Sequence, residues 1–239
     1  MSAPAPISPA PSPPPFRPDA MRFLLVNPNT SQATTAAMVG IAREAMPEAD
    51  IDGISAPFGV PLITGPTELA IAHDAVLALM AARPPFGYQG LIVAAFGDPA
   101  LPELRRSVAI PVTGIAEAGM AEAAAHGDFA VVTTTADLVD SIAQRAMAYG
   151  HTDRFLGTVL TPGDAHQVMA DRKGLVTALL AACRRAVHDH GAKAIVIGGG
   201  PLAVAAREIA GQVGVPVIEP VPAAIRLAAE RARRSTLLN

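Results

Sequence analysis

The sequence predicts an α/β protein built as two Rossmann-like parallel-sheet halves, related by a pseudo-twofold axis with a cleft between them. Three observations carry this expectation. From Met21 onward, apolar runs of four to six residues alternate with helical stretches of 12 or more, the order of a parallel sheet covered on both faces, whose buried strands need no polar alternation. The order then repeats: LLVNPNT, LIVAAFGDP and IPVTG are followed by AVVTTT, AIVIGGGP and VPVIE. Finally, the apolar runs end in Asn, Thr or Gly, at the carboxyl ends where sheets of this class bind ligands.

The elements follow in turn. MRFLLVNPNT is a strand running into a polar turn, and SQATTAAMVGIAREAM carries Ala, Met, Val and Ile at helical spacing. ADIDGISAP reads as the second strand, TELAIAHDAVLALMAA as a helix, GYQGLIVAAF as the third strand and SVAIPVTGI as a short fourth. AEAGMAEAAAHG is a helix stopped by Gly127, a residue free to adopt the positive φ of a helix end. The second half alternates DFAVVTTT, ADLVDSIAQRAMAYG, DRFLGTVLT, GLVTALLAACRRAVHDHG, AKAIVIGGG, PLAVAAREIAGQVG and VPVIEP, and the helix VPAAIRLAAERARRS closes the chain. The expected bounds are 21–115 for the first half, completed by the C-terminal helix 222–239, and 116–221 for the second. Residues 1–20 hold 8 of the 23 prolines, a density that favours a disordered, extended, solvated tail and makes Met21 a plausible second start.

Composition narrows the function. With 51% hydrophobic and 16% charged residues, 239 residues suffice for a large core. A net charge of −3 gives no basic field, so nucleic acid is not an expected partner. The first 20 residues hold no apolar run long enough for a membrane span or a signal segment, and no membrane partner is expected. The lone Cys183 cannot form an intrachain disulfide, which fits a reducing cytoplasm. The expected partner is a small molecule, and the expected assembly a homo-oligomer.

The candidate site residues stand at the strand ends: Asn27, Asn29, Thr30 and Ser31; Ala95, Phe96 and Gly97; Thr133, Thr134 and Thr135; Gly198, Gly199 and Gly200. Helix capping needs one polar residue of the NPNTS kind and this stretch supplies four, which leaves Asn29 and Thr30 for a ligand. Thr133 and Thr134 offer hydroxyls and amides where a helix begins. GGGP is neither a dinucleotide fingerprint nor a P-loop; its glycines let the backbone of Gly199, Gly200 and the Pro201 turn approach a ligand, or else pack a helix tightly. Phe96 is an apolar wall. His166, in the loop LTPGDAHQVMADRKG, is the best histidine for a general base, set against a plain surface role. Glu219 either orients an N–H or makes a structural bond. Glu68 and Glu117 head helices, His188 and His190 follow one, and Asp98 organises a turn.

NPNTS, FGDPAL, IPVTGIAEAG, VVTTT and IVIGGGPLA, in that order, resemble the hydantoin racemase and allantoin racemase family of the aspartate/glutamate racemase superfamily, over residues 21 to about 230. The resemblance implies cofactor-independent proton transfer at the α-carbon of a small cyclic amide, a 5-substituted hydantoin or allantoin. One cysteine, as thiolate, removes the proton and a second, as thiol, returns one to the opposite face. Amides and hydroxyls would stabilise the enolate-like oxygen, with no metal or organic cofactor required. This chain departs from the pattern where it matters: the first family cysteine falls on Ala95 and the second on Gly199. Cys183 lies inside a helix and reads as a packed apolar side chain. Three explanations stand: a member disabled at Ala95, a related hydrolase or lyase using other groups, and a non-catalytic binding module. With no Arg or Lys at any strand end, a dicarboxylate is the weaker ligand.

Overall fold

The computed structural model describes residues 20–237, so the expectation for the proline-rich segment lies outside the described residues but for Ala20. Among the described residues eight strands form two sheets. The first joins β1 (Arg22–Asn27), β2 (Asp50–Ser55), β3 (Gly90–Val93) and β4 (Val112–Gly114) in the order β2-β1-β3-β4. The second joins β5 (Phe129–Thr133), β6 (Phe155–Leu160), β7 (Ala194–Ile197) and β8 (Val217–Ile218) in the order β6-β5-β7-β8. All pairings are parallel. The two sheets thus share one topology, as the repeated order of strand ends in the sequence anticipates.

Nine helices among the described residues connect and cover them: α1 (Gln32–Ala45), α2 (Pro66–Ala82), α3 (Leu101–Ser107), α4 (Ile115–His126), α5 (Val139–Ala148), α6 (Ala165–Ala170), α7 (Arg172–His188), α8 (Ala203–Ile209) and α9 (Pro220–Leu237). Strand side chains alternate between faces, and here both faces are apolar. On β1, Leu24 and Val26 turn outward onto Val76, Leu79 and Leu104 of α2 and α3, whereas Phe23 and Leu25 face a central layer with Met38 of α1 and Ile225 of α9. On β5, Ala130 and Val132 meet Leu179 and Cys183 of α7, whereas Phe129 and Val131 face the same central layer. Each fully buried side chain of this size contributes ~1.5–3 kcal/mol.

The central layer contains an exchange. α4 leaves the first sheet at β4 and packs on β7 of the second, while α9 leaves the second sheet at β8 and packs on β3 and β4 of the first. Small residues let α4 and α9 approach, with Ala116, Ala118 and Ala123 among those buried on one and Ala224, Ala228 and Ala229 on the other. Ion pairs lock the crossing: Arg226 meets Glu122, and Arg231 meets both Glu117 and the Val112 carbonyl.

Two helices fall outside the sequence expectation. α3 spans only seven residues, with Leu101 and Leu104 buried; it ends at Ser107, where the sequence expectation starts a fourth strand, and β4 itself is only Val112–Gly114 because residues 108–111 form an irregular connection. α6 is capped by Asp164, whose carboxylate accepts the Gln167 amide at 3.1 Å, yet it buries no residue. An element that short and exposed leaves no apolar period to read. His166 therefore sits on a helix and not in a loop, and its side chain is exposed.

Candidate active site

The strand ends build the site because the two sheets present them in equivalent registers. The Ala94 amide donates to the Val26 carbonyl at 2.8 Å, and the Gly198 amide to the Val132 carbonyl at 2.8 Å. The Ala56 amide donates to the Asn27 carbonyl at 2.8 Å, and the Thr161 amide to that of Thr133 at 3.0 Å. Asn27 and Thr133 are thus counterparts, as are Ala94 and Gly198, and Ala95 and Gly199 each stand one residue beyond the last inter-strand bond.

These ends open on one hollow. Asn29, Ala95, Phe96, Thr133, Thr134, Thr135, Gly198, Gly199, Gly200 and Pro201 line it together with side chains from neighbouring loops and helices. It encloses ≈ 560 Å³ including its open mouth, but the centre of a water molecule can move through only ≈ 50 Å³ of it. A small ring is the scale of molecule it suits.

Much of its polar lining is tied down. The buried Asn27 donates through Nδ2 to Asn29 Oδ1 at 2.7 Å and to Thr35 Oγ1 at 2.9 Å, and Thr35 shares a 2.6 Å bond with Ser55. Asn29 Oδ1 also accepts the Ser31 amide at 2.9 Å, so both bonds fall on its oxygen and its Nδ2 group is left for the cleft. Ser31 is spent as the cap of α1, accepting the Thr34 amide at 3.2 Å. In the second half, Thr133 donates to the Gly198 carbonyl at 2.8 Å and pairs with Thr135 at 3.1 Å, which ties β5 to β7 at the cleft floor. Among the described residues Thr134 Oγ1 has the Met169 sulfur as its acceptor, at 3.7 Å, a weak one.

Two expected contact residues lie off this lining. The Thr30 amide is engaged by the Val60 carbonyl at 3.0 Å. Gly97 turns toward a second hollow shared with His73, Asp98 and Arg145, and a Cβ added to it would lie 2.9 Å from Leu69 Cδ1. The remaining glycines divide. A Cβ at Gly198 would meet Val131 Cγ1 at 2.7 Å, so the strand tip is packed shut there. At Gly199 the nearest atoms are the flexible end of Leu202 at 3.3 Å, and the backbone is extended with φ 162°. A side chain can therefore stand at position 199.

No titratable side chain lines the cleft among the described residues. His166 lies off it, on the exposed side of α6. Glu219 is held by Arg207 Nε at 2.9 Å, and the same guanidinium pairs with Glu44, which is a structural bond between elements of the two halves. Cys183 is on the buried face of α7, packed against the second sheet away from the cleft, and burial pushes its thiol up to about 12. As it stands, the cleft can hold neutral carbonyl and N–H groups but has no side chain to take up or release a proton.

Leu62, Ile63, Leu69, Leu138, Ile142 and Met169 also shape the cleft, and as apolar residues they carry no signal in the sequence that separates them from core. Asp98 does more than organise a turn. This residue and Ala100 adopt left-handed backbone, φ 46° and 62°, a strained conformation for residues with a Cβ. The Asp98 carboxylate holds the turn in place by accepting the Ala116 amide at 3.0 Å, the Glu117 amide at 2.8 Å and the Tyr149 hydroxyl at 2.6 Å. Behind it, the Gly97 and Asp98 amides both donate to the Ala95 carbonyl at 3.0 Å. Burial raises the Asp98 carboxyl to about 6 although those three bonds pull it down. Glu117 feels burial as well, but hydrogen bonds from Arg231 and Arg105 hold its carboxyl below the usual range.

A family model described as Asp/Glu/Hydantoin racemase matches residues 24–228. The hydantoin racemase of Paenarthrobacter aurescens is 29% identical over 214 residues, 87% of this chain and 89% of that protein. Among solved structures, the allantoin racemase of Klebsiella pneumoniae superposes with a TM-score of 0.84 at 31% identity, covering 90% of this chain and 89% of that one. The allantoin racemase of Pseudomonas fluorescens gives 0.84 at 27% identity, covering 90% and 92%.

Proposed function

The chain belongs to the Asp/Glu/hydantoin racemase family, and from that premise we propose that its cleft binds a small neutral cyclic amide of the hydantoin or allantoin class with positions 95 and 199 on opposite faces of the ring's α-carbon. Those are the places of the acid and base thiols, filled here by Ala95 and Gly199. The protein as it stands holds the ring without exchanging its α-proton; proton transfer returns when sulfur does.

The observation that carries this reading is the equivalence of Ala95 and Gly199 beyond matched strand ends, lining one hollow that has no titratable side chain among the described residues. The neutral lining supports a ring with carbonyls and N–H groups over a free amino-acid dicarboxylate, for which it offers no cation. A hydrolase or lyase working through His166 or Glu219 is disfavoured, since both stand off the cleft. No helix among the described residues is long and apolar enough to cross a membrane. The reading places the protein in the cytoplasm, which its single, buried cysteine supports, and as a homo-oligomer, which exposed Phe58 and Phe86 support.

The test is α-proton exchange into deuterium, with inversion followed by polarimetry, for a panel of hydantoins. The protein as it stands should show no exchange above the uncatalysed rate. Ala95→Cys should exchange the proton on one face with retention, and Ala95→Cys combined with Gly199→Cys should racemise. Exchange or ring opening by the unaltered protein, or a double variant that binds the ring and leaves its proton untouched, overturns the proposal.

A further inference from the structure

Resting on that reading of the ring site, we infer that the cleft selects a hydantoin whose C5 substituent is apolar, branched aliphatic or aromatic, and rejects the ureido group that distinguishes allantoin.

The lining is divided by chemistry. The polar groups come from the strand ends, through Asn29, Thr133, Thr134 and the backbone of Gly198–Gly200. Everything contributed from farther along the connections is apolar: Leu62, Ile63 and Leu69 beyond β2, Leu138 and Ile142 beyond β5, and Met169 of α6. These two connections meet across the cleft, since a Cβ built on Gly65 would lie 3.8 Å from Asp137 Cβ. Leu69 also presses on the turn after position 95, within 2.9 Å of a Cβ at Gly97. A ring with its carbonyls on the strand ends has only this collar left for its substituent.

A ureido group brings three N–H donors and a carbonyl. Among the collar's described side chains the one acceptor is the Met169 sulfur, already facing Thr134 Oγ1 at 3.7 Å. Donors buried without partners cost far more than a missing apolar contact, and a pocket lacking the matching groups discriminates accordingly. An isobutyl or benzyl group would instead exchange water for aliphatic carbon and the Met169 thioether. A charged substituent is excluded by the same lining, which holds no counter-ion among the described residues. This preference separates the chain from the allantoin racemases it superposes on.

Binding decides the matter, and the unaltered protein suffices. Calorimetric titration with hydantoin, 5-isobutylhydantoin, 5-benzylhydantoin and allantoin should rank isobutyl or benzyl first, with allantoin on the order of 10²-fold weaker. In Leu62→Asn and Met169→Gln, which add a polar partner at half-buried positions, the gap to allantoin should shrink by about tenfold; circular dichroism melting checks that each variant is folded. Allantoin binding as tightly as the isobutyl ring, or a gap unchanged in both folded variants, overturns this inference while leaving the ring reading intact. Failure of every ring, unsubstituted hydantoin included, overturns both.

Discussion

Replacing Asp98 by asparagine tests whether the strained turn behind position 95 is held by a buried carboxyl. The carboxyl is 1% exposed and accepts three hydrogen bonds; in Asp98→Asn one oxygen survives as an acceptor and an NH₂ group confronts a backbone amide, a mismatch that costs ~1–3 kcal/mol. The pH dependence is the sharper signature. Burial lifts this carboxyl from 3.8 to about 6, so the folded state binds its proton more tightly than the unfolded chain by ~3 kcal/mol. That contribution is fully present below the unfolded value of 3.8, and it is lost as pH rises through about 6. The aspartate protein should therefore shed up to ~3 kcal/mol relative to Asp98→Asn between about pH 4 and pH 7. Urea unfolding of both proteins across that range, followed by circular dichroism, measures the difference directly and cancels the other carboxylates. A difference constant within ~0.5 kcal/mol would refute the assignment.

Two further substitutions probe the cleft floor. Thr133→Val keeps the shape but removes the hydroxyl that donates to the Gly198 carbonyl; unfolding experiments should show a loss of ~1–3 kcal/mol, and hydantoin affinity should fall, whereas affinity unchanged at reduced stability would detach this bond from the site. Gly198→Ala and Gly199→Ala form a contrasting pair. The first forces a Cβ to 2.7 Å from Val131 and should cost ~1–3 kcal/mol, while the second meets only the movable Leu202 at 3.3 Å and should melt within a few degrees of the parent; equal melting temperatures would contradict the packing described.

The fold was readable because strand ends and helix spacing are local. LLVNPNT and AVVTTT announce the same element twice, and the two sheets share one strand order. The polar strand ends were readable for the same reason: Asn29, Thr133, Thr134 and Gly200 carry turn and capping chemistry that an apolar run does not need. The collar was not readable, because Leu138 or Ile142 on a helix face has one appearance whether it meets another side chain or an empty cleft. Asp98 looked like a turn residue since its neighbours in sequence say only that; its three partners arrive from Ala116, Glu117 and Tyr149. Thr30 and Gly97 show the opposite limit. Both sit beside lining residues, but a one-residue step along a tight turn carries the backbone elsewhere, Thr30 to the Val60 carbonyl and Gly97 to the second hollow.

The trade of α4 and α9 between the sheets bears on how the polypeptide matures. When the ribosome has completed residues 21–115, the inner surface of the first sheet carries Phe23, Leu25 and Ile92 with α1 alone to shelter them; the rest of their cover comes later, from α4, the second sheet and, last among the described helices, α9. Truncation ahead of Pro220 would strip α9 from β3 and β4 and leave that surface partly uncovered, and either lobe expressed by itself would lack a wall belonging to its sister. Sequence identity between the lobes can thus drift freely while their separation into independent proteins stays closed.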